Sequence, residues 1–398
     1  MKSSLVKRPD QAWLRAFLFT VFGAMVLLVS YFPLYYRHLG FSSTQIGYLY
    51  AIGPMISIFS NMFWSMASDR YGTIKKVLLV LLAGQMLLAL CLAATSSFGM
   101  VLFIITCFYF FYYPIYPLAD TMSISTAAKY GKNFTTIRVF GSLGYAFFAI
   151  VIGYILTSAG SSWAIWVAIG LALISLVIGF RLHDQSSGAP GKMNVSGILD
   201  ILRSREMLWF FACVFLLAIG HRMNEAFLTI SLQDLGADQG LIGWALLVSS
   251  ISEIPMFFLL SLYGDRFREL PLLIIASLMY VLRFFLMGIV DTPVGMMAVQ
   301  AMHSVTFGIF YVTSLRYLTR LVPSQFRATG MALFTIVWSS ASGLLSGAFG
   351  GIIFEEAGRT AFYYTAMAFS LAAFAGLILK PLLVRSTDSV TADSPTEF

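Results

Sequence analysis

Leu39-Gly40-Phe41-Ser42-Ser43-Thr44-Gln45-Ile46-Gly47-Tyr48, followed by Ser65-Met66-Ala67-Ser68-Asp69-Arg70, decides the fold because the chain states this pattern twice. At an offset of 196 residues Leu235-Gly236 and Ile242-Gly243-Trp244 return, and Ser261-x-x-x-Asp265-Arg266 matches Ser65-x-x-x-Asp69-Arg70. Further along the offset shortens to 189, where Arg138-x-x-Gly141 is answered by Arg327-x-x-Gly330. Two related units are implied, and such internal repeats in apolar chains form carriers whose site lies at the interface of the halves near the bilayer midplane.

The stretches around these anchors are apolar and long. Runs of spanning length fall near 13–36, 44–68, 75–95, 99–128, 136–157, 161–182, 207–233, 240–263, 270–290, 293–319, 326–353 and 360–384. These are numbered helices 1 to 12 here. A spanning helix needs about 20 apolar residues, and backbone groups in hydrocarbon must be satisfied within the segment. None of the runs alternates as a barrel strand does. The expected fold is therefore an all-α membrane protein of twelve helices in two pseudo-symmetric six-helix bundles. Residues 1–182 form the first bundle and 207–385 the second. The connection 183–206, with Ser-Ser-Gly-Ala-Pro-Gly inside it, is a cytoplasmic linker, and 386–398 a flexible cytoplasmic tail.

Composition agrees. Of 398 residues, 59% are hydrophobic and 11% charged, too little polar surface to cover a soluble globule. The formal charge of +7 invites a nucleic-acid reading, but the cations are spread over short loops rather than gathered on one face. With the N-terminus inside, the cytoplasmic segments carry nineteen Lys and Arg, from Lys2 through Lys75 and Lys76 to Arg385, against Arg37 and Arg359 outside. That bias places both termini in the cytoplasm and the protein in the cytoplasmic (inner) membrane. The basic N-terminal segment precedes an apolar run too long for a signal peptide, so helix 1 is expected to be retained. Cys91, Cys107 and Cys213 lie inside apolar runs, and suit neither a disulfide framework nor paired metal ligands. No metal or cofactor is expected.

The two Asp-Arg loops and the six-plus-six layout resemble the major facilitator superfamily. In that family the loop after helix 2 usually reads Gly-x-x-x-Asp-Arg-x-Gly-Arg-Arg/Lys. Here it is Ser65-x-x-x-Asp69-Arg70-Tyr71-Gly72-Thr73-Ile74-Lys75-Lys76, with Ser in the leading position and the basic pair delayed by two residues. Pro117-Leu118-Ala119-Asp120, Tyr130-Gly131 and Arg138-Val139-Phe140-Gly141-Ser142 are similar to the helix 4–5 signature of the lactose permease-like, nucleoside and phenylpropionate proton symporters. Glu253, Arg283, His303 and Arg316 also fall where that branch carries the same residue types. One turn after the histidine, where the lactose permease-like pattern has a proton-carrying glutamate, this chain has Thr306. The resemblance implies proton coupling and a substrate grip built on Asp120 and Arg138.

Ionisable groups inside spans cost several kcal/mol unless paired or hydrated, so each is a functional candidate. The set is Asp120, Arg138, His221, Arg222, Glu225, Glu253, Arg283, His303 and Arg316. Asp120 and Arg138 end and begin antiparallel neighbours. They either present an acceptor and a donor fork to an oxygen-rich solute or lock helix 4 to helix 5, while the repeat offers Arg316 as a third partner for Asp120. Glu253 has no charged neighbour within a turn, and desolvation favours the neutral form of such a carboxylate, which suits a proton carrier. The alternative is a permanent ion pair with Arg283. His303 relays protons or donates to substrate, or is only a satisfied polar residue. Glu225 is the second candidate proton carrier. It shares a helix face with His221 and lies three residues from Arg222, a spacing that lets the three neutralise one another.

Among 36 Phe, 19 Tyr and 7 Trp, Tyr145 stands out two turns beyond Arg138, where the lactose permease-like pattern has a sugar-stacking Trp. Tyr113-Pro114-Ile115-Tyr116-Pro117 should kink helix 4, either turning contacts such as Tyr116 toward a central cavity or serving packing alone. Asp69, Arg70, Asp265 and Arg266 read as gate latches at the mouth of each half. The leading function is proton-coupled uptake of a sugar or nucleoside by alternating access, with an aromatic monocarboxylate as alternative. A drug efflux antiporter is a rival, but helix 1 holds no acid between Trp13 and Tyr36. An intramembrane enzyme is disfavoured because no paired metal-ligand histidines, Gly-x-Ser-x-Gly elbow or P-loop occurs. The expected partners are a small-molecule substrate, protons and lipid, with no nucleic acid, and the chain is expected to act as a monomer.

Overall fold

The computed structural model describes residues 9–131, 134–184, 204–263, 266–322 and 326–380. Its helices are α1 (Gln11–His38), α2 (Ser43–Tyr71), α3 (Ile74–Ala93), α4 (Phe98–Lys129), α5 (Thr136–Ala159), α6 (Ser161–Phe180), α7 (Arg205–Asp234), α8 (Gln239–Tyr263), α9 (Glu269–Ile289) and α10 (Pro293–Leu321). The last apolar stretch, Thr329–Ile378, is 50 residues long, twice what a bilayer requires. It breaks at Gly358, whose φ of 77° lies in the left-handed region that glycine tolerates. It is thus two spans, α11 (327–357) and α12 (359–378), and the twelve-helix layout stands.

Local chemistry explains the helix ends. Ser42 and Gln45 form a reciprocal capping box at the start of α2, and Gly72 closes that helix at φ 61°. Thr73 caps α3, Ser204 caps α7 and Thr292 caps α10. Helical bonding in α4 lapses at Tyr113-Pro114 and resumes at Ile115, as the proline pair predicts. Three helices also widen into π-type turns, at Leu27–Tyr31 in α1, Ser304–Gly308 in α10 and Ile336–Ala341 in α11. Such turns free backbone groups and concentrate at functional sites.

The halves meet along two seams, α2 with α11 and α5 with α8. Both are closest at the face away from the start of α1. A Cβ on Gly47 would fall 2.3 Å from the Gly347 carbonyl oxygen, and one on Gly243 would fall 2.6 Å from that of Ala149, so only glycine permits these approaches. Polar ties between halves cluster at the same far face. Arg37 pairs with Asp234 at 2.5 Å. The Thr44 N–H donates to Glu355 (2.8 Å), Gly240 N–H to the Thr157 hydroxyl (2.9 Å) and Gln239 to Ser161 (3.0 Å).

At the face where α1 begins, here the basic face, the ion pairs among the described residues join residues of one half: Asp120 with Arg138, Glu269 with Arg316 and Arg320, and Lys380 with Glu206. The conformation is one in which the far face is sealed. One continuous apolar core, from Val26 on α1 to Leu377 on α12, runs through both halves, and a second joins α1, α3 and α4 near the basic face.

Candidate functional site

Between the halves, on the basic-face side of the seams, lies a cavity of about 300 Å³. One wall is α4, where Tyr109, Tyr112, Tyr113 and Tyr116 recur at the i, i+3, i+4, i+7 spacing of a single helix face. Tyr50 of α2 and Tyr145 of α5 complete a lining of six tyrosines. Tyr50 Oη donates to the carbonyls of Leu28 and Val29 (2.6 and 3.0 Å), which lie in the π-type turn of α1. Tyr145 Oη stands 3.5 Å from Ser30 Oγ. The kink at Tyr113-Pro114 falls in the middle of the tyrosine face, so the proline break shapes the cavity wall.

The second half contributes charge. Arg222 and Glu225 of α7 both line the cavity and are ion-paired. The guanidinium also donates through Nε to the Trp338 carbonyl (3.2 Å) and through Nη2 to Ser339 Oγ (2.8 Å), both in the π-type turn of α11. Arg222 therefore ties α7 to α11 while its net charge is cancelled by Glu225 inside the cavity. His221 does not join this pair. It is buried, meets Tyr280 Oη through Nδ1 at 3.0 Å, and lies against the rings of Phe307 and Trp338.

Behind that aromatic layer sits the second polar cluster. Arg283 of α9 is 1% exposed and, among the described residues, forms no ion pair with a carboxylate. Its donors go to His303 Nδ1 (2.9 Å), Thr306 Oγ1 (3.1 Å) and Gln300 Oε1 (2.7 Å), while Nε has no partner. His303 Nε2 lies 2.9 Å from Glu253 Oε1. A permanent Glu253–Arg283 ion pair is thus not what forms, because the imidazole stands between them. A guanidinium only donates, so His303 Nδ1 must hold a lone pair and Nε2 must carry the hydrogen that goes to Glu253. The imidazole is neutral in this arrangement, and the buried cation fixes its tautomer. Thr306, where the sequence departs from the lactose permease-like pattern, serves as a neutral acceptor for Arg283.

The remaining expected residues distribute as follows. Arg138 Nε meets Asp120 Oδ1 at 3.0 Å, as their placement on α4 and α5 implies, and the guanidinium lies 4.0 Å over the Phe22 ring. Phe22 in turn packs edge-on against Tyr116, so this pair sits just outside the cavity toward the basic face. Asp120 is held by Arg138, and Arg316 faces Glu269 at 3.7 Å in its own half. Tyr116 and Tyr145 line the cavity; Asp120, Arg138, Glu253 and His303 are not among its lining residues. Of the four latch residues, Asp69 is partly buried, Arg70 is exposed and Arg266 stacks on Tyr263 (5.2 Å). Asp265 lies outside the described residues. Sequence reasoning passed over Tyr50, Tyr109, Tyr112, Tyr113 and Ser339; the tyrosine spacing on helix 4 was the available signal.

Two six-helix halves closing over a cavity lined by tyrosines and one ion pair define a membrane transporter of the major facilitator type. The family model of the MFS_1 like family matches residues 11–365, and the chain belongs to that family. It is 25% identical to the maltose permease of Geobacillus stearothermophilus over 370 residues, 92% of each chain. It is 22% identical to the probable 3-phenylpropionic acid transporter of Escherichia coli (strain K12) over 377 residues, 94% of this chain and 98% of the other. Its fold superposes on the crystal structure of the nucleoside transporter NupG with a TM-score of 0.83 at 16% identity, covering 94% and 99% of the two chains. Sugar, nucleoside and aromatic-acid transporters thus surround it.

Proposed function

We propose that this protein couples proton entry to the uptake of a small, neutral, hydroxyl-rich solute, a sugar or a nucleoside, across the cytoplasmic membrane with both termini in the cytoplasm. The observation that carries the reading is the composition of the cavity. Six tyrosines supply flat apolar rings together with hydroxyls that both donate and accept, which suits a solute with apolar ring faces and a polar periphery. Its one charged pair, Arg222 with Glu225, is self-neutralised. A free carboxylate substrate would have to displace Glu225 from Arg222, so the aromatic monocarboxylate reading is disfavoured for this chain.

Proton coupling belongs to the cluster behind the aromatic layer. Glu253 is the group that takes the proton, since Arg283 keeps His303 from accepting one at Nδ1. Protonation of Glu253 weakens its tie to His303, and contact runs from there through Phe307 and Trp338 to Arg222 at the cavity wall. Asp120, Arg138, Tyr116 and Tyr145 form the approach and wall on the first half. Asp69, Arg70, Asp265 and Arg266 latch the basic face when it closes. The chain works as a monomer in a lipid bilayer. Equilibrium binding of a panel of neutral sugars, nucleosides and phenylpropionate to the purified protein tests the substrate class. Saturable binding of a neutral solute, weakened by both Tyr113→Phe and Glu225→Gln, supports it. Binding of phenylpropionate alone would overturn it.

A further inference from the structure

The basic pair Lys75-Lys76, displaced by two residues from its usual place in the loop pattern, has no part in the cavity or in the charge clusters described above. The structure puts it in the first turn of α3, where it faces the end of α6 across a pocket that also contains Arg181 and Asp184. Asp184 is already committed: its carboxylate accepts from the Thr73 hydroxyl and from the Lys75 N–H (3.0 Å), tying the two helix ends together. Lys75 Nζ donates to a neutral partner, the Phe180 carbonyl, at 2.8 Å. Arg181 lies 5.5 Å over the Trp13 ring, and Lys76 is exposed. Three cations thus border a pocket whose single carboxylate among the described residues, Asp184, is spent on helix capping.

What lies beside the pocket decides what fills it. Leu79 and Phe180 form its apolar side, and beyond them α3 and α6 expose Val80 (51%), Leu87 (61%) and Val177 (58%) outward. An outward apolar wall along two spanning helices faces acyl chains, and Trp13, exposed near the start of α1, is of the side-chain type enriched at membrane interfaces. A soluble anion would use only the cationic rim. An amphiphile with a phosphate head would use the rim and the wall together.

We propose that this pocket binds the headgroup of an anionic phospholipid of the leaflet at the basic face, with its acyl chains along α3 and α6. The site is independent of the transported solute. Each cation close to an anionic headgroup raises affinity about fivefold, so removing two lowers it roughly 25-fold.

Native mass spectrometry of the full-length protein in detergent tests this, with phosphatidylglycerol and phosphatidylethanolamine offered at equal concentration. Wild type should retain phosphatidylglycerol preferentially, and Lys76→Gln/Arg181→Gln should lose that preference by roughly 25-fold. Arg266→Gln/Arg268→Gln, on the same face of the other half, should keep it. Lys76→Gln alone, at an exposed position, should lose about fivefold, which keeps the test decisive if the double variant does not fold. Equal retention of the two lipids by wild type overturns the proposal, as does an equal loss in the Arg266/Arg268 variant. Displacement of the lipid by excess inorganic phosphate also overturns it, since the pocket would then be a soluble-anion site.

Discussion

Replacing His303 separates the two ways in which the Glu253 cluster can carry a proton. The ring makes two bonds, 2.9 Å to Arg283 Nη1 and 2.9 Å to Glu253 Oε1. Each has a charged partner, and such bonds contribute about 1.5–3 kcal/mol. His303→Ala removes both, leaving a buried guanidinium donor and a carboxylate oxygen unpaired, and should cost roughly 3–6 kcal/mol of a total that is commonly only 5–15. A large drop in melting temperature is expected. His303→Gln is the informative variant. Its amide oxygen accepts from Arg283 and its amide N–H donates to Glu253, so it reproduces both bonds with a group that does not titrate. Solute-driven acidification of proteoliposomes loaded with a pH dye should therefore survive in His303→Gln within about tenfold of wild type, equivalent to one bond misaligned by about 1.4 kcal/mol. If His303→Gln folds and exchanges solute but moves no protons, the imidazole itself carries the proton, and the tautomer argument fails.

Tyr113→Phe removes one hydroxyl from the cavity wall and should weaken solute binding by about 5- to 10-fold, a net hydrogen bond of roughly 1 kcal/mol, with little change in melting temperature; titration calorimetry checks it. Gly347→Leu places a side chain where even a Cβ would sit 2.6 Å from the Ala51 nitrogen. Overpacking of about 1–3 kcal/mol should part the far-face seam and speed maleimide labelling of a cysteine at Ser346 from that face about tenfold or more, whereas unchanged labelling would count against a glycine-dependent seal. Glu355 ties the halves at the far face, where its carboxylate accepts from the Thr44 N–H at 2.8 Å. Glu355→Ala should remove that tie and raise the same labelling, and unchanged labelling would count against its role in the seal.

The architecture was largely legible because its signals are local. Spanning length and the Pro114 break each depend on residues near in sequence, the repeat is read by matching two short stretches, and one short turn brings the Asp120–Arg138 pair together. What sequence did not disclose depends on the relative depth of helices that no local pattern fixes. His303 stands between Arg283 and Glu253 because α8, α9 and α10 meet at one level, and side chains 20 and 50 residues apart carry no mark of that level. The Thr44–Glu355 tie spans 311 residues and both halves for the same reason. Arg222 with Glu225 was readable from its three-residue spacing, but His221 left that group for the Tyr280 hydroxyl of α9, a partner 59 residues away that no local spacing marks. The tyrosine face of α4 is a different case. Its spacing was in plain view among 19 tyrosines, and only the cavity distinguishes those four from rings that pack against lipid.

The central claim is that a proton bound at Glu253 accompanies a neutral solute bound among the tyrosines. Internal acidification of dye-loaded proteoliposomes, challenged with sugars, nucleosides and aromatic acids, measures it directly in wild type and Glu253→Gln. Acidification triggered by a neutral solute is expected in wild type and none in Glu253→Gln, which should still exchange solute across the membrane. Acidification that persists in Glu253→Gln, or alkalinisation driven by hydrophobic drugs under an imposed proton gradient, would contradict it.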